Sequence, residues 1–100
     1  MRALCTGGLL SAPLQSARLQ GTSLLGAPGF VKYGAGVELL GQFCGHNGTI
    51  SGFSTEMYYL PAKDAVIIVN ANRLDADDKS KSTELFLLLT KQLFAQYVNW

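Results

Sequence analysis

The feature that most constrains the fold is a pair of strand-like segments joined by a four-residue turn. The segment FSTEMYYL (53–60) alternates in polarity and is rich in threonine and aromatic residues, which is typical of a β-strand. The segment AVIIVNAN (65–72) is β-branched and apolar at successive positions, which predicts a strand buried on both faces inside a sheet. Between them, Pro61 presets the backbone of a turn that Asp64 closes. This stretch predicts an antiparallel pair of strands.

Helices flank the predicted sheet. On the N-terminal side, Ser11 can cap a short helix that ends at Gly21. On the C-terminal side, STELFLLLTKQLFAQYV predicts a longer helix, with Leu85, Leu88 and Leu89 near its buried face. The fold class is therefore α+β, an antiparallel sheet of about three to four strands with a C-terminal helix packed on it. The predicted boundaries, within one domain over 1–100, are a helix over 12–20, a loop over 21–30, strands within 33–72, a loop over 73–81 and a helix over 82–98.

The bulk composition argues against several classes of protein. A chain of 100 residues with 48% hydrophobic residues can form one small domain with a core and is too apolar for a disordered segment. A net charge of +1 gives no basic surface for nucleic acid. No apolar run reaches the roughly 18 residues that a membrane span needs. The apolar patch near the N-terminus is short and interrupted by glycines, so it does not resemble a signal peptide.

Metal-ligating residue types are sparse. The chain has one histidine, and its two cysteines, Cys5 and Cys44, have no C-x-x-C spacing, so no zinc site is expected. Both cysteines are expected to be buried free thiols, with a bridge between them left open as the alternative. The acidic run from Asp75 departs from the EF-hand pattern, because Phe86 stands where the glutamate of the twelfth position belongs. The sequence therefore predicts neither a metal site nor a cofactor.

Five short motifs follow one another along the chain: YGAG (33–36), GHNG (45–48), GF (52–53), LPAKD (60–64) and the apolar strand VIIVNAN (66–72). This ordered series resembles the C-terminal part of the serine β-lactamase-like family. That family includes class C β-lactamases, D-alanyl-D-alanine carboxypeptidases, D-aminopeptidases and related esterases. The resemblance covers nearly the whole chain and implies a partial β-lactamase/transpeptidase-like fold.

The resemblance implies an active-site wall around the only histidine. In that family the third active-site motif is K-T-G or H-x-G, on a strand beside the nucleophilic serine, and His46-Asn47-Gly48 matches the H-x-G form. It implies that His46 tunes proton transfer or binds a substrate carboxylate, and that the bare backbone of Gly48 lets substrate lie against the strand. The backbone N–H of Thr49 is implied as an oxyanion-hole donor. Tyr33 and Asn47 are implied to contact substrate, although Asn47 would alternate to the other face of a regular strand.

The first two motifs of that family are absent from this sequence. None of the seven serines has a lysine three residues further on, so S-x-x-K is missing. The stretch 97–99 spells Y-x-N, but it follows the H-x-G instead of preceding it, and we interpret it as a coincidence. The resemblance therefore implies the C-terminal segment of a serine hydrolase that cleaves amide or ester bonds in a small-molecule or peptide substrate. Without the serine, this chain is expected to be inactive alone.

The resemblance also bears on partners and compartment. Without the strands that precede it in the family, the apolar strand over 66–69 would be an open edge, which predicts self-association or pairing with the N-terminal part of the domain. The alternative is a non-catalytic interaction module, or a truncated gene product, that associates through this exposed edge. Family members usually work in the periplasm, in the cell envelope or outside the cell. Because the sequence shows no export signal, the compartment stays open.

Overall fold

The computed structural model of the protein describes residues 1–73 and 80–100, so the acidic run and most of the predicted loop over 73–81 lie outside the described residues. None of the described helices is long and apolar enough to cross a membrane. The C-terminal helix ends before the predicted boundary, and the chain continues as a short 3-10 turn. The helices are α1 (Arg2–Thr6), α2 (Ala12–Leu19) and α3 (Lys81–Leu93), with 3-10 turns at Pro61–Lys63 and Ala95–Tyr97. The strands are β1 (Thr22–Ser23), β2 (Val31–Tyr33), β3 (Glu38–Leu40), β4 (Phe43–Ile50), β5 (Phe53–Leu60) and β6 (Ala65–Ala71).

The six described strands form one antiparallel sheet, and each strand pairs with the next one along the chain. The longest ladders join β4 to β5, from Cys44 opposite Tyr59 to Ile50 opposite Phe53, and β5 to β6. The α+β class and the antiparallel sheet are confirmed, but the sheet is larger than the predicted three to four strands. The predicted loop over 21–30 contains β1, which is only two residues long. Such short strands carry little pattern of their own, so pairing with a neighbour defines them.

The connection between β5 and β6 is the turn that the sequence predicts. Pro61–Lys63 form a 3-10 turn, and Asp64 takes a left-handed backbone conformation with φ +48°. Aspartate tolerates this conformation better than most residues. The Asp64 carboxylate accepts a hydrogen bond from the Tyr59 hydroxyl at 3.0 Å and forms an ion pair with Arg2 at 2.8 Å. The turn thereby connects the sheet to α1.

Helix α3 packs across one face of the sheet and supplies the centre of the main core. Phe86 is fully buried, and its ring centroid lies 4.8 Å from that of Tyr58 and 6.0 Å from that of Phe43. The Ser80 hydroxyl caps the helix by accepting a hydrogen bond from the Thr83 backbone N–H. The buried members of this core are Leu40, Phe43, Tyr58, Leu60, Val69 and Phe86.

The predicted buried face of α3 is wrong at Leu85 and Leu88, whereas Leu89 is half-buried and packs against the main core. Leu85 is 47% exposed and Leu88 is 67% exposed, whereas Phe86 and Thr90 are fully buried against the sheet. Because leucines lie almost all round this helix, its sequence pattern defines no single apolar stripe. The aromatic side chains of the sheet therefore decide which stripe is buried.

A second, smaller core lies under the N-terminal helices and contains a disulfide. Cys5 of α1 is bonded to Cys44 of β4, and both residues are buried, so the expectation of free thiols is wrong. The Gln15 side-chain amide of α2 donates to the carbonyl oxygens of Leu4 and Cys5 at 2.9 and 3.1 Å. These hydrogen bonds hold α2 against α1. The buried members of this core are Cys5, Val37, Cys44 and Tyr59.

Strand β6 forms one end of the sheet and is covered on one face only. In the described part of the chain no strand pairs with its outer edge. Ile67 and Val69 contribute to the core under α3, while Val66 and Ile68 on the other face are 44% and 61% exposed. The prediction that this strand is buried on both faces is therefore wrong. Within residues 1–73 and 80–100, the open apolar edge expected over 66–69 is present.

Candidate functional site

The part of β4 that carries the H-x-G motif has one free edge. Strand β3 pairs with β4 only from Phe43 to Gly45, because β3 itself begins at Glu38. From His46 to Ile50, β4 pairs with β5 on one side, and none of residues 1–73 and 80–100 forms a strand on the other. Unpaired backbone N–H and C=O groups at such an edge can bind an extended ligand or another strand.

Tyr33 reaches His46 around the end of β3. Its hydroxyl oxygen lies 2.5 Å from His46 Nε2, and the two rings meet edge to face with centroids 5.4 Å apart. His46 Nδ1 contacts the backbone carbonyl oxygen of Asn47. Both rings belong to half-buried residues. The structure therefore joins the two predicted site residues that carry ring side chains, although they are 13 positions apart in the sequence.

The remaining H-x-G residues divide between the two faces of the sheet. His46 and Gly48 lie on one face, and Asn47 and Thr49 lie on the other, as strand alternation predicts for Asn47. A Cβ placed on Gly48 would meet no atom within 4 Å, so the space beside this glycine is open. An open depression of about 410 Å³ lies here, lined by Gly48, Thr49, Ile50, Phe53, Thr55 and Asn70.

On the opposite face, beneath α3, two glutamates line a second cavity of about 210 Å³. Glu56 is only 2% exposed, and its carboxylate accepts a hydrogen bond from the Thr83 hydroxyl in the first turn of α3. The Tyr58 hydroxyl donates to Glu38 Oε2 at 3.0 Å. Asn47 lines the same cavity. The middle residue of the H-x-G motif therefore lies beside a buried polar cluster.

Burial dominates the electrostatics of this cluster. Burial raises the pKa of Glu56 above its ordinary value, the negative charge of Glu38 adds to the effect, and the hydrogen bond from Thr83 opposes it. Burial and the two nearby carboxylates also raise the pKa of Tyr58. Both groups therefore favour their protonated forms. Sequence reasoning missed this cluster, and the available signal was a glutamate at 56, on the same face of the strand as Tyr58 and Leu60.

Neither metal ligands nor relatives identify the site. Among the described residues, no group of three or more histidine, cysteine, aspartate or glutamate side chains is placed to hold a metal ion. No protein-family model matches the chain, and no curated protein matches it significantly. A functional assignment therefore depends on the residues around the free edge of β4 and on the motif resemblance.

Proposed function

We propose that this chain is the C-terminal segment of a serine hydrolase domain that cleaves amide or ester bonds, of the β-lactamase, D-alanyl-D-alanine carboxypeptidase or esterase type. The observation that supports this most is the free edge of β4 from His46 to Ile50. Such an edge can align an extended substrate directly beside the H-x-G residues. The ordered motif series along the chain is the second support.

In the proposed hydrolase the nucleophilic serine comes from a part of the domain outside this sequence. Its attack on the substrate carbonyl places negative charge on the carbonyl oxygen, and the backbone N–H of Thr49 donates to that oxygen. Gly48 presents a bare backbone, so the substrate main chain can approach the strand closely. His46, on the same face as Gly48, faces the polar groups of the bound substrate. Each of these roles uses a residue at the free edge.

The first test of this proposal is to read the coding DNA upstream of Met1. An in-frame S-x-x-K followed by Y-x-N supports the proposal, whereas a start and a stop codon that bound these residues contradict it. The longer product, when expressed, should be labelled on one serine by a fluorophosphonate or a β-lactam. The 100-residue chain alone should not be labelled, and an adduct on any of its own serines would also contradict the proposed role.

A pair of matched glycine variants then tests the strand itself in the longer product. A Cβ meets no atom within 4 Å at Gly48 or at Gly29, which lies in the loop before β2, so both positions accept a side chain without a clash. Gly48→Val should lower kcat/KM by about tenfold or more, because the new side chain displaces the substrate from the strand. Gly29→Val should leave kcat/KM unchanged. Equal activity of the two variants would argue against substrate binding along β4.

A second candidate function is non-catalytic binding through the exposed apolar face of the sheet. Four large apolar side chains on this face are between 44% and 74% exposed, which is typical of a surface that a partner covers. Addition of the N-terminal part of the domain in trans distinguishes the two candidates, because a hydrolase segment restores activity and an interaction module binds without activity. The four residues are Ile50, Phe53, Val66 and Ile68.

A further inference from the structure

The contact between Tyr33 and His46 is one that the motif resemblance does not imply. On the basis of the hydrolase segment proposed above, we propose that Tyr33 is a positioning residue, whose hydroxyl donates to His46 Nε2 and so places the proton of the neutral imidazole on Nδ1. The resemblance implies Tyr33 only as a substrate contact. In the structure its hydroxyl instead lies 2.5 Å from His46 Nε2.

The hydrogen-bond partners of His46 define the position of its proton. Nδ1 contacts the carbonyl oxygen of Asn47, and a carbonyl oxygen can only accept, so Nδ1 must carry hydrogen. In a neutral ring the other nitrogen, Nε2, is then an acceptor. Tyr33 can supply the missing donor, because its hydroxyl is within hydrogen-bond distance of Nε2. Free histidine in water favours the opposite tautomer, with the proton on Nε2, so the tautomer reports on the Tyr33 and Asn47 contacts together, and Tyr33→Phe isolates the contribution of the hydroxyl.

Tyr33 and Asn47 together occupy both ring nitrogens of His46. The Tyr33 hydroxyl lies at Nε2 and the Asn47 carbonyl oxygen at Nδ1. The imidazole is then a fixed part of the site wall, because neither ring nitrogen can rotate away without losing a hydrogen bond.

The edge-to-face contact between the Tyr33 and His46 rings also fixes how the two rings are oriented relative to each other. The ring planes meet at 83°, which presents the edge of one ring to the face of the other, a favoured geometry for aromatic pairs. Tyr33→Phe retains this ring and removes only the hydroxyl. The variant therefore separates the hydrogen bond from the packing.

Nitrogen NMR of the protein labelled with 15N-histidine tests the proposal, and the chain has a single histidine, so each ring nitrogen gives one signal. Above the pH range in which histidine titrates, the wild type should show an unprotonated Nε2 and a protonated Nδ1. Tyr33→Phe should shift the population towards the Nε2–H tautomer. Tyr97→Phe is the matched control, because Tyr97 is half-buried elsewhere, with its ring near Lys63, and should change nothing.

Two results would overturn the proposal: a wild-type spectrum with the proton on Nε2, or a Tyr33→Phe spectrum identical to the wild type. The wild-type spectrum decides on its own if the variant fails to fold. The measurement needs neither a serine nucleophile nor a substrate. A failure of the longer product to hydrolyse amides or esters would therefore contradict the proposed function while the tautomer result stands, and the converse also holds.

Discussion

Removal of the Cys5–Cys44 disulfide tests how strongly the N-terminal helix stabilises the sheet. The bridge joins residues 39 positions apart, and the loop-closure entropy for a loop of that length corresponds to about 4 kcal/mol of stability. Both cysteines are buried beside Tyr59, so the bridge also fixes packing in the second core. With a urea m value of about 1.5 kcal/mol/M, the loss should lower the unfolding midpoint by about 2 to 3 M. Urea unfolding followed by circular dichroism, with and without a dithiol reductant, measures this shift.

The same experiment needs a direct count of free thiols. The untreated protein should take up no alkylating reagent, and the fully reduced protein should take up two equivalents, one on each cysteine. The double variant Cys5→Ala/Cys44→Ala should unfold at the midpoint of the reduced protein, and reductant should not change it further. A midpoint that stays constant when alkylation shows complete reduction would refute this reasoning, since the bridge would then contribute nothing.

Three further predictions concern the core, the buried carboxyl and the exposed face. Phe86→Ala should lower the free energy of unfolding by about 3 to 5 kcal/mol, measured by urea unfolding. The control Leu88→Ala, at an exposed position of the same helix, should lower it by about 0.5 kcal/mol or less. Similar losses in the two variants would contradict the packing of α3. Because burial raises the pKa of Glu56, the folded protein binds a proton that the unfolded chain releases, so stability should fall as pH rises from about 4.5 towards the raised pKa. Glu56→Gln should flatten that pH dependence of stability. An unchanged dependence in the variant would contradict the raised pKa of Glu56 as its cause. Finally, light scattering should show that the chain self-associates at tens of micromolar, and Ile68→Lys should weaken the self-association. A monomeric wild type at that concentration would contradict association through the exposed apolar face of the sheet.

Local pattern was enough to predict the β5–β6 hairpin and its turn. Alternation in β5, β-branched residues in β6 and the Pro61 and Asp64 pair each act over a few neighbouring residues, so they are readable from the sequence. The H-x-G residues could also be placed on a strand, with Asn47 on the face opposite His46, because side-chain alternation is a property of one strand. The predicted helix over 12–20 agrees with α2 for the same reason.

Tertiary structure alone decided which of these elements meet, because such contacts join residues that no local pattern relates. The pairing of Cys5 with Cys44 required α1 to lie on β4. The burial of Phe86 in place of Leu85 and Leu88 required the aromatic rings of the sheet. The contact between Tyr33 and His46 exists because β3 is short enough to leave the edge of β4 free beside the end of β2. The sequence by itself determined the β5–β6 hairpin, its turn and the motif residues. Packing determined the free edge of β4 and the hydrogen bonds that make the motif residues a candidate site.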